Sequence, residues 1–292
     1  MTAYIQPVVT GLLLGGLYAI IGVGMSLIFG IMKLTNLAHG DIMIMSAFLT
    51  TIITRQVTGN PVLALLITIL VMIPFSILIQ KFLINKVIDR GAEAPLLIMF
   101  GLSVVIQNAM FLIFGSQSHS IAGGLRFTNV ISTQHLSVSA AHLVNFIVAA
   151  VVIVGLALIM SKTPFGRAIR ASSGNTKAAE LMGVNTKRMY IYAMCLTVVV
   201  TGIAGLLVGS TFIFFHYTGP SYLIIAFGVV VIGGMGSLMG TFVGGMILGL
   251  SQLLGATVFG FPYQDLSGYI VLLTLLAIRP QGLLSKAIRE RA

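Results

Sequence analysis

The sequence predicts an all-α polytopic membrane protein with about eight or nine transmembrane or half-membrane helices. Of its 292 residues, 58% are hydrophobic and only 8% are charged, whereas soluble globular domains carry about 25% charged residues. The apolar residues also fall into repeated runs, many close to the roughly 20 residues needed to cross a bilayer. A soluble fold of this length could not bury so much apolar surface. We therefore expect a single transmembrane domain over residues 1–292.

Nine candidate segments follow one another along the chain. The seventh and ninth are short, and the seventh ends in the glycine-rich stretch GGMGS, which breaks a helix through its backbone freedom. At least one segment is therefore expected to be a half-helix or to re-enter the membrane. The segments lie at 8–29, 37–54, 62–80, 94–114, 143–160, 190–214, 221–233, 238–257 and 266–278.

The distribution of basic residues predicts how these segments are oriented. Most of the 16 Lys and Arg residues lie in the segments 81–90 and 161–189 and in the tail from Arg279 onward. The positive-inside rule places these three regions, and with them the C-terminus, in the cytoplasm. Nine crossings would leave the N-terminus outside, whereas one re-entrant segment would leave it inside. The net charge of +10 follows from this loop bias and does not indicate nucleic-acid binding.

Pairs of glycines four residues apart predict close helix packing. Small residues at this spacing let helix backbones approach each other, and packing drives helix association inside a bilayer. A similarity between residues 34–49 and 233–248, each running from a break into a Met-rich helix, leaves an internal duplication open. The glycine pairs are Gly11/Gly15, Gly240/Gly244 and Gly245/Gly249.

Catalytic motifs are missing from the sequence, so we expect no enzyme activity, no metal site and no cofactor. It contains no GxxxxGK[ST] phosphate loop, no HExxH and no GxSxG. No two histidines have the spacing of a helical metal site. Four of the five are expected to be solvated residues in or beside outer loops. The histidines are His39, His119, His135, His142 and His216.

A few polar residues fall at membrane depth, where they are costly and tend to face a cavity or each other. Asp41 follows Asn36 and His39, and two interpretations remain open: an ordinary helix start with Asp41 in its first turn, or a path or gate. Gln107 and Asn108 lie near the centre of the fourth segment. They either form hydrogen bonds between helices or line the translocation route.

The stretch ASSGNTKAAELMGVNTKR, residues 171–188, is polar and basic within this apolar chain. Asn175 is a suitable N-cap and Gly183 a suitable C-terminal stop for a helix of about two turns. Ala178, Leu181 and Met182 would share one face. Because so short a helix is not stable alone in water, we expect a partner protein to hold it in a groove.

Three stretches resemble the branched-chain amino acid permeases of ABC importers, specifically the H-type subunit of leucine/isoleucine/valine importers. They are PFGRAIRASSGNTKAAELMGVNTKRMY, GGLYAIIGVGMSLIFGIMKLTNLAHGDIMIMSAF and FGVVVIGGMGSLMGTFVGGMILG, and the similarity continues to the final RPQGL. The first resembles the loop that carries the coupling helix docking on an ATPase. Its residues here are Asn175, Thr176, Lys177, Ala178, Ala179, Glu180, Leu181, Met182 and Gly183.

The resemblance implies a fold like that of the ribose and cobalamin importer permeases, in the bacterial cytoplasmic membrane. It implies a second related permease subunit, two cytoplasmic ATPase subunits and an extracytoplasmic solute-binding protein. The expected cargo is a branched-chain or related amino acid, while other amino acids, urea and amides stay open. The alternative from a different class is a self-sufficient secondary transporter or channel for a small polar solute.

Overall fold

The computed structural model describes residues 4–91, 93–121, 129–133 and 136–284. His135 and the part of the basic tail beyond residue 284 lie outside these ranges. All nine apolar segments predicted from the sequence are helical. The helices are α1 Ile5–Met32, α2 His39–Ile53, α3 Pro61–Val87, α4 Glu93–Phe114, α5 Ala140–Lys162, α6 Pro164–Gly174, α7 Thr176–Leu181, α8 Thr186–Thr211, α9 Gly219–Gly233, α10 Leu238–Phe259 and α11 Gln264–Ile278.

Seven of the described helices are long and apolar enough to cross a bilayer. The helix α9 has only 15 residues, as predicted for the segment that ends in GGMGS. The helix α2 also has 15 residues and continues into a π-helical turn, Thr54–Thr58. The chain is thus an all-α polytopic membrane protein with two short helices among its full-length ones.

A β-hairpin is an addition that the sequence analysis did not predict. Its antiparallel strands are β1 Asn129–Thr133 and β2 Leu136–Ser139, within the region expected to be an outer loop. Gln6 at the start of α1 holds it through both amide atoms. Gln6 Nε2 donates to the carbonyl of Ser137 at 2.6 Å, and the Ser137 amide donates to Gln6 Oε1 at 2.8 Å.

The predicted basic loop 161–189 contains two helices instead of the single short one expected. The additional helix, α6, begins with a signal that was present in the sequence. Thr163 Oγ1 accepts a hydrogen bond from the Gly166 amide at 3.1 Å, and Pro164 occupies the first helical position, as is common at helix N-termini. Gly166 lies directly on the backbone of Met160, so α6 turns back tightly against the end of α5.

The α1 and α10 helices are in backbone contact along a row of glycines. A Cβ atom at Gly245 would lie 2.5 Å from the carbonyl oxygen of Gly15, and one at Gly249 would lie 2.5 Å from that of Gly11. Real Cβ atoms do not approach so closely, so only glycine fits. The predicted role of these pairs in close packing is confirmed. Gly240 and Gly244 likewise lie against the backbone of α9 at Gly233.

The three basic regions lie at one end of the bundle. The tail reaches this end because Gly282, after α11, packs on Gly234. The neighbouring Gly236 packs on Gly30, near the end of α1. A cavity at the same end is lined by both Ile88 and Lys177. The hairpin lies at the opposite end, beside the start of α1.

The helix α2 begins inside the bundle. After α1 ends, the chain turns back so that His39 Nε2 donates to the carbonyl of Ile21 at 2.8 Å. His39 also packs against Gly24, which lies about 12 Å before the end of α1 at the rise of an α-helix. From there α2 runs toward the hairpin end of the bundle.

The helix α9 begins beside the first turn of α2. Gly40 and Gly219 are in such close backbone contact that neither has room for a Cβ atom. The helix α9 then runs to the basic end, opposite to α2. The unit α1–α2 therefore resembles α8–α9 in inverted direction, each a full helix followed by a half-helix. The duplication considered between 34–49 and 233–248 stays a prediction: both segments lead from a break into a helix, α2 and α10.

The glycine row predicts a sharp difference between two identical substitutions. Gly245→Ala should destabilise the protein by about 1–3 kcal/mol, because the added methyl group cannot fit against α1. Gly155→Ala in α5 adds a methyl group where no atom lies within 4 Å, so stability should be unchanged or slightly higher. Thermal unfolding of the purified proteins in detergent tests this, and equal melting temperatures would contradict the packing described here.

Candidate functional site

Asp41 lies where α2, α4 and α9 meet. It is 1% exposed, and Ser103 Oγ on α4 donates a hydrogen bond to its Oδ2 at 2.5 Å. Its other oxygen, Oδ1, lies against Gly219 at the start of α9 and has no hydrogen-bond partner within the described chain. One carboxylate thus bridges the two half-helices and a spanning helix.

Burial disfavours a negative charge on Asp41, and the helix ends beside it act in the opposite direction. It occupies the first turn of α2 and touches the first residue of α9. A helix N-terminus carries roughly half a positive charge, so two such ends face the same side chain. A charged group inside a membrane bundle is costly unless it has such partners. We conclude that helix ends, together with the Ser103 hydroxyl, hold this carboxylate.

Gln107 joins this network and Asn108 does not. Gln107 Nε2 donates to Ser103 Oγ at 3.1 Å, one turn along α4, so Gln107 reaches α2 through Ser103 and Asp41. Asn108 Nδ2 instead donates to the carbonyl of Val104 at 2.8 Å within its own helix, at an exposed position. The sequence analysis missed Ser103, although its spacing from Gln107 places both on one helix face.

Asn36 and His39 build the break before α2. Asn36 Oδ1 accepts from the Ala38 amide at 3.0 Å, and its carbonyl accepts from the His39 amide at 3.2 Å. Both side chains are buried. The helix α2 begins at His39 with Asp41 in its first turn, as the first interpretation of this element states.

The short helix α7 has the ends that the sequence predicts. Asn175 Oδ1 accepts from the Ala178 amide at 3.0 Å, and Gly183 has a left-handed φ of +82°. The Gly183 amide donates to the carbonyl of Glu180 at 2.9 Å, and the Val184 amide donates to that of Ala179 at 3.0 Å. These two bonds form a Schellman motif.

The apolar face of α7 is directed away from the bundle. Leu181 is 89% exposed and Met182 is 85% exposed, whereas Ala179 is buried. Ala178 is also exposed. The face predicted from helical spacing is therefore an unpartnered apolar surface at the basic end of this chain, of the kind that often marks a protein interface.

The opposite side of α7 is tied to α8. Thr186 Oγ1 donates a hydrogen bond to Glu180 Oε1, which joins α7 to the first residue of α8. Thr176 and Lys177 share with Tyr190 and Ile88 the lining of a cavity of about 570 Å³. A movement of α7 would consequently be transmitted to α8.

A cluster of aromatic rings packs around Phe48 near the hairpin end of the bundle. Phe48 of α2 stacks on Phe114 at 4.4 Å and meets the rings of His119 at 4.9 Å and Phe214 at 5.0 Å. His119 and Phe214 also exchange two backbone hydrogen bonds of 2.9 Å. The loop histidines His119 and His216 are half-buried, and the ring of His216 packs on Phe111, so both are less solvated than expected.

A second polar network contains a carboxylate that the sequence analysis did not consider. Tyr18 OH donates to Gln252 Oε1 at 2.7 Å, and Gln252 Nε2 donates to Asp265 Oδ1 at 3.3 Å. It connects α1, α10 and α11. Asp265 was assigned to an outer loop because the ninth apolar run begins after it, and so it was not paired with a membrane residue.

Comparison with known proteins gives a match over nearly the whole chain. Residues 8–279 match the family described as branched-chain amino acid transport system / permease component. The high-affinity branched-chain amino acid transport system permease protein BraD of Pseudomonas aeruginosa is 28% identical, covering 99% of this chain and 98% of the relative. The corresponding LivH of Escherichia coli is 25% identical, covering 99% and 97%.

A more distant similarity reaches the sugar importers. The ribose import permease protein RbsC of Haemophilus influenzae is 32% identical over 39% of this chain and 38% of the relative. This partial similarity agrees with the expected likeness to ribose-type permeases.

The environment of His119 predicts that stability depends on pH. Burial among the rings and, to a smaller extent, the charge of Arg55 lower the pKa of His119 below its ordinary value. The folded state therefore prefers the neutral ring, and this stabilisation is complete above the unfolded pKa of about 6.5 and is lost as the pH falls through the folded pKa. Between pH 7.5 and pH 5, the melting temperature should fall more for the wild type than for His119→Phe. An identical fall in both proteins would contradict this role.

Proposed function

Because the chain belongs to the family of branched-chain amino acid transport system permease components, we propose that it is the transmembrane permease subunit of a binding-protein-dependent ABC importer. The match over residues 8–279 carries this proposal. Branched-chain or related amino acids are the proposed cargo, since this is the cargo named for the BraD and LivH relatives. ATP would be hydrolysed by separate subunits, and this chain would act as the pathway and not as an enzyme.

The helix α7 is the proposed docking element for an ATPase subunit. Its ends are fixed by Asn175 and Gly183, while Leu181 and Met182 are exposed in this chain. A groove in a partner could bury those side chains at no cost in helix order, because the caps already define the helix. Thr176, Lys177, Ala178, Ala179 and Glu180 complete the proposed coupling helix.

Motion of α7 would reach the bundle centre through α8. The link between Glu180 and Thr186 joins the two helices, and α8 packs closely on α2, where Gly205 lies directly on Ser46. Closing of the ATPase pair would therefore shift α2 relative to α9. The contact between Gly40 and Gly219, with Asp41 beside it, is the proposed gate between the two half-helices.

The proposed path runs past this gate. Asn36 and His39 shape the turn before α2, and Gln107 extends the Asp41 network along α4. Asn108 would contribute only from the exposed side of α4. Asn36, His39 and Asp41 are buried and Gln107 is half-buried, which would correspond to a closed gate.

The partners and orientation are inferred from the family and from charge. A second, related permease subunit, two cytoplasmic ATPase subunits and an extracytoplasmic binding protein would complete the importer in the bacterial inner membrane. The exposed apolar side chains of α4, among them Leu97, Val105 and Leu112, provide a surface for lipid or for the second permease subunit. The positive-inside rule places α7 and the C-terminus in the cytoplasm.

The docking role predicts the effect of a charge on the exposed face of α7. Leu181→Asp or Ala178→Asp should weaken ATPase association about thirtyfold or more, because an unpaired charge would be buried in the interface. Co-purification of the co-expressed ATPases and uptake of radiolabelled leucine should both fall, while the melting temperature of the chain should remain unchanged. Val57→Asp is the control, since Val57 is equally accessible at the opposite end and should retain the ATPases.

Wild-type uptake and co-purification by the Leu181→Asp variant would sink the docking proposal. Leucine uptake by this chain reconstituted without any ATPase would sink the importer proposal and support a self-sufficient carrier or channel. The two results can be told apart. The first concerns only whether α7 docks on an ATPase, whereas the second shows transport that needs no ATPase.

The gate proposal predicts a functional role for the charge on Asp41. Asp41→Asn keeps the shape and the hydrogen bond from Ser103 but removes the charge between two helix N-termini, an interaction of about 1–2 kcal/mol. The balance between closed and open gate should shift, and leucine uptake should change about tenfold while ATPase co-purification is retained. Asp265→Asn, the same change in the other network, should leave uptake within about twofold. Normal uptake by Asp41→Asn would contradict the gate.

A further inference from the structure

A groove at the basic end of the bundle lies apart from the proposed gate and coupling helix. It has a volume of about 140 Å³ and lies where α1, α5, α6 and the turn before α10 meet. Apolar side chains form most of its walls. Residues that line it include Ser26, Gly30, Met160, Ile169, Arg170 and Ser173.

Ser26 is an unsatisfied polar group in the wall of this groove. It is 1% exposed, and its hydroxyl has no hydrogen-bond partner within the described residues. Buried hydroxyls are normally hydrogen-bonded, and a serine in a helix can donate to a carbonyl one turn earlier. Ser26 does not do so here, so its hydroxyl remains available to a ligand in the groove.

Arg170 provides a positive charge at the rim. It is exposed and forms no ion pair among the residues that the structure covers. Residues 140–174 contain no Asp or Glu that could neutralise this charge. Ser173 Oγ donates to the carbonyl of Arg170 at 3.0 Å and so offers an anion no proton, which leaves the Arg170 guanidinium as the group that would bind it. The rim is therefore suited to an anion.

The surface beside the groove is suited to acyl chains. Met160 of α5 and Leu238 of α10 line opposite sides of the groove. Farther along the same two helices, Phe146 and Phe242 are both partly exposed, with ring centroids 5.8 Å apart, and they form an apolar face between α5 and α10. A ligand with an anionic head and apolar chains would contact both the rim and this face. Soluble phosphate would use only the rim and would leave Ser26 unsatisfied.

We propose that this groove binds the headgroup of an anionic phospholipid. Its phosphate contacts the Arg170 guanidinium, an ester carbonyl accepts a hydrogen bond from Ser26 Oγ, and the acyl chains run along the apolar face between α5 and α10. Basic pockets between helices are a recurrent way to recognise anionic lipids. The site goes beyond the proposed transport function and does not depend on which solute is carried.

The test compares the full-length chain in nanodiscs of phosphatidylcholine with and without phosphatidylglycerol. Phosphatidylglycerol should raise the melting temperature and remain bound to the released protein in native mass spectrometry. Arg170→Gln should weaken phosphatidylglycerol binding about fivefold, as expected for one basic contact near a membrane surface. Arg167→Gln is the matched control, because Arg167 lies on the same helix but does not line the groove, and its binding should match the wild type.

Ser26→Ala separates a ligand contact from a structural role. In phosphatidylcholine alone this variant should be at least as stable as the wild type, because the unsatisfied hydroxyl is removed. In the presence of phosphatidylglycerol it should gain less stability than the wild type does. Loss of stability in both lipids would overturn the contact with the ester carbonyl.

Three other outcomes would overturn the proposal as a whole. One is equal binding of phosphatidylcholine and phosphatidylglycerol, and another is unchanged phosphatidylglycerol binding by Arg170→Gln. The third is an equal rise in melting temperature with inorganic phosphate in phosphatidylcholine nanodiscs. That result would assign the rim to a soluble anion.

Discussion

The architecture depends on helices that pack with their backbones in contact. Lipid tails are as apolar as leucine, so a bilayer offers no hydrophobic force to bring helices together, and close packing must do so instead. The row of glycines between α1 and α10 provides that packing, with carbonyl groups at 2.5 Å from where a Cβ atom would be. This contact fixes α1 in the centre of the bundle. Only from there can the carbonyl of Ile21 meet His39 and hold the start of α2 at mid-depth.

Two half-helices that begin inside a membrane leave backbone amides without helical partners. Water cannot satisfy them in the hydrocarbon region, so the bundle must. Here the carboxyl group in the first turn of α2 also lies against the first residue of α9, so it faces the positive ends of both helices without accepting a hydrogen bond from their amides. Asp41 therefore has a structural reason to be where it is, independent of transport. The same arrangement makes it sensitive to any change in the spacing of the two helix ends, which is why a structural residue can also be the proposed gate.

The sequence predicted the helices well because length and hydropathy determine which segments can span a bilayer. It predicted the ends of α7 because Asn175 and Gly183 act through local backbone geometry. It did not predict the contact between Gly40 and Gly219, since nothing local relates two glycines so far apart along the chain. Ser103 was missed for a similar reason, because a single serine in an apolar helix has no signal until its partner on α2 is known. The hairpin and α6 were not predicted because both are short and lie between spanning segments, and hydropathy identifies only the segments that span.

The α1–α10 seam and the α2–α9 junction differ in the extent of their contact, and this difference suggests which helices can move apart. The seam between α1 and α10 is backbone on backbone over several turns, so separating it would lose many contacts at once. The junction of α2 with α9 is a single close approach at Gly40 and Gly219, with one unpaired carboxylate oxygen beside it. Along α8, Thr197 and Thr201 contact α1 at Gly24 before Gly205 contacts α2 at Ser46, but α1 is held to α10 along the whole seam and α2 to α9 at one close approach. The proposed motion therefore moves α2 against α9 while α1 and α10 remain together as the fixed part of the permease.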